Sequence, residues 1–189
     1  MKVRSICLGP LSTNSYLVEF GGKRILIDPA EGGDPLRRFV GEEAPDVVLN
    51  THGHFDHTGG DWEFPGAEIL IHAADVPLLD QAYPGHPPIG RTIADGEEIA
   101  PGLKVIHTPG HSPGSIVLCG EGVLFVGDLL FAGSIGRTDF PGGSEEDMRR
   151  SLLRVSSLPG DYLIYPGHGP ATTLERERRE NPFLVNLKG

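Results

Sequence analysis

The chain has 189 residues, enough for one domain with a sizeable core and cramped for two, so a single domain over 1–189 is expected. Hydrophobic residues make up 38% and charged residues 22%, and no stretch approaches the roughly 18 uninterrupted apolar residues of a membrane span. The formal net charge is −10, with 16 Lys and Arg against 26 Asp and Glu and no basic block, which excludes a nucleic-acid footprint.

Residues 1–29 read as three short strands. Asn14–Phe20, Gly21-Gly22 and Lys23–Asp28 have the pattern of a hairpin with a glycine turn, closed by Asp28-Pro29. Asp28 is expected to support a neighbouring site or cap a turn. Gly9-Pro10 interrupts the opening before an apolar leader core forms, so no export is expected and a cytoplasmic location is inferred. Cys7 and Cys119 lack metal-site spacing and are expected to be reduced, buried thiols. Asp34–Val40 reads as a helix with Asp34 as N-cap and Pro35 at its first position, laid over one sheet face.

The short β-branched run Asp46–Asn50 reads as a buried strand that opens into a loop at its end. That loop carries Thr51-His52-Gly53-His54-Phe55-Asp56-His57, four metal-capable side chains within six residues, with Gly53 and Gly59-Gly60 permitting tight turns. A His-x-His pair alone would fit a solvated loop as well. A carboxylate among three histidines points to a metal site, one able to hold more than one cation.

Glu68–Ile71 reads as a strand and Ala73–Leu79 as a short helix flanked by His72. Tyr83–Gly90 is too rich in Pro and Gly for a regular element, and its His86 is expected to be an exposed loop histidine without partners. Residues 96–128 read as several strands. Leu103–His107 leads into a turn carrying His111, Val123–Gly127 ends in Asp128, and Tyr162–Tyr165 leads into Pro166-Gly167-His168. Each of these strands therefore ends in one ligand-type residue, and a carboxylate such as Asp128 can bridge cations about 3.5–4 Å apart. The segment after Asp128 must pass over the same pocket, which makes Arg137 the candidate for a substrate-anion contact; an ion pair with an acidic neighbour is the competing reading. Ser144–Val155 reads as an N-capped amphipathic helix. Leu174–Phe183 reads as a short charged helix, stopped by Pro182, whose charges form a solvated face.

With His52, His54, Asp56, His57, His111, Asp128 and His168 in this order and context, the chain resembles the metallo-β-lactamase superfamily over nearly all its length. Within it, the chain looks most like the short, single-domain relatives of glyoxalase II, the hydroxyacylglutathione hydrolases. The resemblance implies an α+β fold, a four-layer αββα sandwich, which two strand-rich halves with intervening helices also suggest. It also implies two divalent cations, zinc or iron with manganese possible. One is held by His52, His54 and His111, the other by Asp56, His57 and His168, with Asp128 bridging; Asp56 is taken as catalytic too. Such a centre stays net positive, lowers the pKa of bound water and delivers hydroxide to a carbonyl. A thioester suits it because thiolate leaves without a strong general acid. The implied substrate is a small molecule, an S-acylglutathione such as S-lactoylglutathione, although Arg137 and Asp139 stand where glyoxalase II enzymes commonly carry Lys and Tyr. A second reading comes from Gly136-Arg137-Thr138-Asp139-Phe140, which resembles the matching stretch of persulfide dioxygenases, with one iron held by His52, His111 and Asp128.

Overall fold

Two six-stranded sheets form the framework of this computed structural model, which describes residues 1–86 and 88–188. Pro87, within the loop expected over Tyr83–Gly90, and the terminal Gly189 lie outside the described residues. The first sheet holds β1 (Lys2–Leu8), β2 (Thr13–Phe20), β3 (Lys23–Ile27), β4 (Val47–Leu49), β5 (Glu68–His72) and β6 (Arg91–Ile93), in that spatial order. The strands β1, β2 and β3 form antiparallel pairs, and β3 to β6 run parallel. The second sheet begins with β7 (Glu98–Ala100), β8 (Leu103–His107), β9 (Ile116–Gly120) and β10 (Val123–Gly127). After a ribbon of β11 (Leu130–Phe131) and β12 (Ser134–Ile135), it resumes with β13 (Leu163–Pro166) and β14 (Thr172–Thr173). Its spatial order is β14-β13-β10-β9-β8-β7, with β13 parallel to β10.

The helices are α1 (Asp34–Val40), α2 (Phe55–Thr58), α3 (Val76–Ala82), α4 (Glu145–Ser156), α5 (Leu174–Glu180) and α6 (Pro182–Val185). Strand alternation then builds three apolar interfaces. Tyr16, Val18, Ile25, Ile27, Leu49 and Leu70 face Leu103, Val105, Ile116, Leu118 and Phe125 between the sheets. Leu17, Leu26 and Val48 point outward onto Leu36 and Val40 of α1. Val117, Leu124, Val126 and Ile164 point the other way onto Met148, Leu152 and Val155 of α4, Leu174 and Leu184. Three interfaces make four layers, the expected αββα sandwich of the α+β class. Each fully buried Leu, Ile, Val or Phe contributes about 1.5–3 kcal/mol of transfer free energy. No helix among the described residues is long and apolar enough to cross a membrane.

Four expectations need correction. The N-cap of α1 is Gly33, and Asp34 lies inside the first turn, where its carboxylate meets Arg37 and Arg38. Cys7 is exposed because β1 is an edge strand, and Cys119, on β9 inside the second sheet, is only partly covered at the margin of the α4 interface. The charged tail is not solvated all round: Glu177 is buried and accepts hydrogen bonds from Thr172, Asn181 and the Gly133 amide. His86 pairs with Asp80 at 2.9 Å and lies parallel to the Trp62 ring.

Candidate metal centre

Parallel pairing at the middle of each sheet sends several strand ends to one edge of the sandwich. There β4 leads to His52, β8 to His111, β10 to Asp128 and β13 to His168. Hydrogen bonds across the sheets lock that edge: Ile116 N–H donates to Thr51 O, and Asn14 N–H to Gly167 O. Within the motif the chain forms a single helical turn, α2, where a loop was expected, and this turns Asp56 and His57 back towards His52. A side chain at Gly167 would collide with Asp128 Oδ1 and come within 2.7 Å of the His57 ring. Only glycine leaves room there for the His168 loop to close on the site.

All seven expected ligands converge. Ligand atoms of three overlapping groups lie within 4.8 Å of one another: His52, His54 and His111; His52, His57 and Asp128; and Asp56, His57 and His168. Asp128 sits centrally, with Oδ2 3.5 Å from both His111 Nε2 and His168 Nε2 and Oδ1 3.4 Å from His57 Nε2. Yet His52 Nε2, His57 Nε2 and Asp128 Oδ1 are buried without a hydrogen-bond partner. Buried polar atoms without partners are costly, by about 1–3 kcal/mol each, so a cluster of them facing one point calls for a cation.

The outer hydrogen bonds decide which ring nitrogens are bare. His57 Nδ1–H donates to Asp28 Oδ2 at 2.9 Å. Thr51 spends its hydroxyl proton on Asp28 Oδ2 at 2.7 Å, so Thr51 Oγ1 accepts from His52 Nδ1–H at 3.1 Å. His111 Nδ1–H donates to the Arg137 carbonyl at 2.7 Å and His168 Nδ1–H to the Leu11 carbonyl at 3.1 Å. Four imidazoles therefore present an Nε2 lone pair to the centre. His54 instead turns Nδ1 inward, 2.9 Å from His111 Nε2. The donor set thus suits divalent ions of the zinc, iron and manganese kind.

Burial and the neighbouring carboxylates pull the imidazoles of the cluster in opposite directions. Burial opposes charge on His57, but Asp128 and Asp28 overcome it and hold its pKa well above the usual value. Asp128 and Asp56 raise His168 to about 10. Burial, reinforced by neighbouring histidines, keeps His52 and His54 low. Burial would raise Asp128, yet His57 and His168 hold it well below the usual carboxylate range.

Several supporting residues escaped the sequence reading. Asp75, assigned only to a short helix, is fully buried and accepts from Gly53 N–H at 2.8 Å, Gly114 N–H at 2.5 Å and Ser112 Oγ–H at 2.6 Å. It ties the His52–His57 segment to the His111 turn. Thr13 Oγ–H donates to Asp56 Oδ2 at 3.0 Å. Asp28, expected in a supporting role, receives three hydrogen bonds and adopts φ +48°, a left-handed conformation that the surrounding bonds must hold. Arg137 lines the cleft over the cluster, but its guanidinium pairs with Asp139 through two 2.6 Å hydrogen bonds, the competing reading.

Comparison with known proteins agrees with this geometry. A family model described as the metallo-beta-lactamase superfamily matches residues 8–168. YqgX of Bacillus subtilis, a probable metallo-hydrolase, is 32% identical over 209 residues, covering 97% of this chain and 98% of its own. The hydroxyacylglutathione hydrolase GloC of Haemophilus influenzae is 37% identical over 184 residues, covering 84% and 86%. Among solved structures, TTHA1623 in a di-iron-bound form superposes with a TM-score of 0.91 at 38% identity, covering 96% of this chain and all of that one. ETHE1 from Myxococcus xanthus superposes with a TM-score of 0.79 at 27% identity, covering 100% and 91%. With the fold, the converging histidines and a family match over most of its length, this chain belongs to the metallo-β-lactamase superfamily.

Proposed function

We propose that this protein is a metal-dependent thioester hydrolase, with S-lactoylglutathione the first substrate to test and two divalent cations, zinc or iron with manganese a further candidate, at its centre. The observation that carries this reading is the set of inward-facing nitrogens and carboxylate oxygens, three of them buried without a hydrogen-bond partner. On this reading His52, His54 and His111 hold one cation, Asp56, His57 and His168 the other, and Asp128 spans both. Bound there, the cations supply Lewis acidity towards the acyl carbonyl and a strong nucleophile from water.

The chain's own groups do the rest. Asp28, Thr51 and the Arg137 and Leu11 carbonyls keep the imidazoles in their ligating tautomers. Asp56, braced by Thr13, lines the open cleft, and on this reading it would orient the attacking water by accepting its hydrogen bond. Among the described residues lining the cleft there is no Lys, Tyr or Cys to act as a strong general acid. That favours a substrate whose leaving group needs no protonation, and thiolate is one. Resemblance to GloC supports the same class.

A second reading, an iron-dependent persulfide dioxygenase, draws support from the likeness to ETHE1 and from the Gly136–Phe140 run. The two separate in one experiment: thiol release from S-lactoylglutathione by purified protein without oxygen, beside a His54→Ala control. Release that the control loses supports the hydrolase. No release, together with oxygen consumption on adding glutathione persulfide, overturns it in favour of the dioxygenase.

A further inference from the structure

The candidate centre opens into a cleft of about 670 Å³ with a one-sided wall. Away from the ligands the wall consists mainly of Leu11, Phe55, Leu78, Phe131, Ile135 and Phe140. Six large apolar side chains are exposed among the described residues, and three of them, Leu11, Phe55 and Phe140, stand on this wall. Exposed apolar groups gathered at one mouth mark a binding surface, whereas scattered ones do not. Phe140 also stands edge-on to the rings of His54 and His111, so the apolar wall reaches the cluster itself.

Charge points the same way. Arg137 is the one Lys or Arg among the described lining residues. Asp139 closes its guanidinium with two hydrogen bonds, and its face lies 4.1 Å from the Phe140 ring centroid. The only cationic side chain of the wall outside the cluster is thus already paired, and a chain of net charge −10 adds a repulsive field for anions. An anionic thiol carrier such as glutathione meets little here to recognise it, while an apolar group meets a ready surface.

We propose that the cleft selects its substrate by an uncharged, apolar acyl group, a medium-length aliphatic or aromatic one, lying between Phe55, Leu78, Phe131 and Phe140 while the thiol carrier remains in water. This rests on the thioester reading for the reaction, in which water oxygen bonds to the acyl carbon, the carbon–sulfur bond breaks with its electron pair leaving on sulfur as thiolate, and the two water protons pass to solvent, leaving the acyl group as a carboxylate. Selection by the wall is a binding property and is tested apart from turnover.

The test uses acetyl, butanoyl, hexanoyl and benzoyl thioesters of one uncharged thiol, N-acetylcysteamine. Each methylene buried should raise kcat/KM about two- to fourfold, so hexanoyl should exceed acetyl by at least about tenfold. Hexanoyl on glutathione should be cleaved within about threefold of hexanoyl on N-acetylcysteamine. The Leu78→Ser variant should lower the hexanoyl-to-acetyl ratio, and Asp139→Asn, by releasing Arg137, should raise the ratio of glutathione to N-acetylcysteamine thioesters. A flat chain-length series, or a strong preference for the glutathione carrier, overturns the proposal. If no thioester is cleaved, the thioester reading fails, and calorimetric titration with uncleavable ketone analogues still decides the selectivity. Hexyl binding more than about tenfold tighter than methyl supports the proposal, and equal affinity overturns it.

Discussion

Replacing Asp28 by Asn tests whether the hydrogen bonds behind the cluster set its chemistry. The side chain is buried, with Oδ1 accepting from Thr51 N–H at 2.7 Å and Oδ2 accepting from both Thr51 Oγ–H at 2.7 Å and His57 Nδ1–H at 2.9 Å. Asparagine has one acceptor oxygen, which the Thr51 amide claims, so its NH2 group must face two groups that are themselves donors. Relief requires His57 Nδ1 to accept, which moves its proton to Nε2, the atom aimed into the centre. Asparagine tolerates the left-handed φ of +48°, so the backbone is not a confounding strain. Loss of such a support weakens metal binding by about 10–100-fold, or about 1.4–2.7 kcal/mol. That matches the roughly 1.5–3 kcal/mol of a hydrogen bond to a charged group. Chelator competition, with metal content per chain measured by atomic emission, reads the change. A folded Asp28→Asn protein that binds metal within about twofold of the parent would refute the tautomer argument.

Three further outcomes are expected. Asp61 is fully buried, held by Asn50 at 2.7 Å, and burial raises its pKa well above the usual value. A raised carboxyl pKa gives stability that is complete below the unfolded pKa near 3.9 and lost as pH rises through the folded value. Urea titrations of the parent should therefore show that loss, and Asp61→Asn should flatten it; a parallel pH profile would exclude the burial argument. Asp75→Ala strands three buried donors on Gly53, Gly114 and Ser112. It should cost about 3–5 kcal/mol in chemical denaturation and abolish metal uptake, and a loss below about 1 kcal/mol would contradict the bracing role. Gly167→Ala places a methyl against Asp128 and His57, so metal affinity should fall at least about tenfold while α4 and its core stay folded by circular dichroism. Unchanged affinity would mean that the loop has slack.

Much of this protein was legible in its sequence because the signals are local. Val47–Leu49, Leu103–His107 and Val123–Gly127 are short apolar runs bounded by turn residues, so their strands can be read directly, and a His or Asp past each run is chemically conspicuous. Ser144 caps α4 as its spacing predicts. Asp75 and Glu177 could not be read this way. An Asp at a helix start or a Glu in a charged helix ordinarily faces water, and only packing against Gly53 and Ser112, or against Gly133 and Asn181, turns each into a buried acceptor. The pairing of Arg137 with Asp139 was likewise one of two readings until the loop's path decided it. Residue type and spacing determined which side chains could serve as ligands and which strands carry them. Only the tertiary structure decided which nitrogen each imidazole turns inward and how apolar the cleft is, since both depend on hydrogen bonds and contacts between segments tens of residues apart.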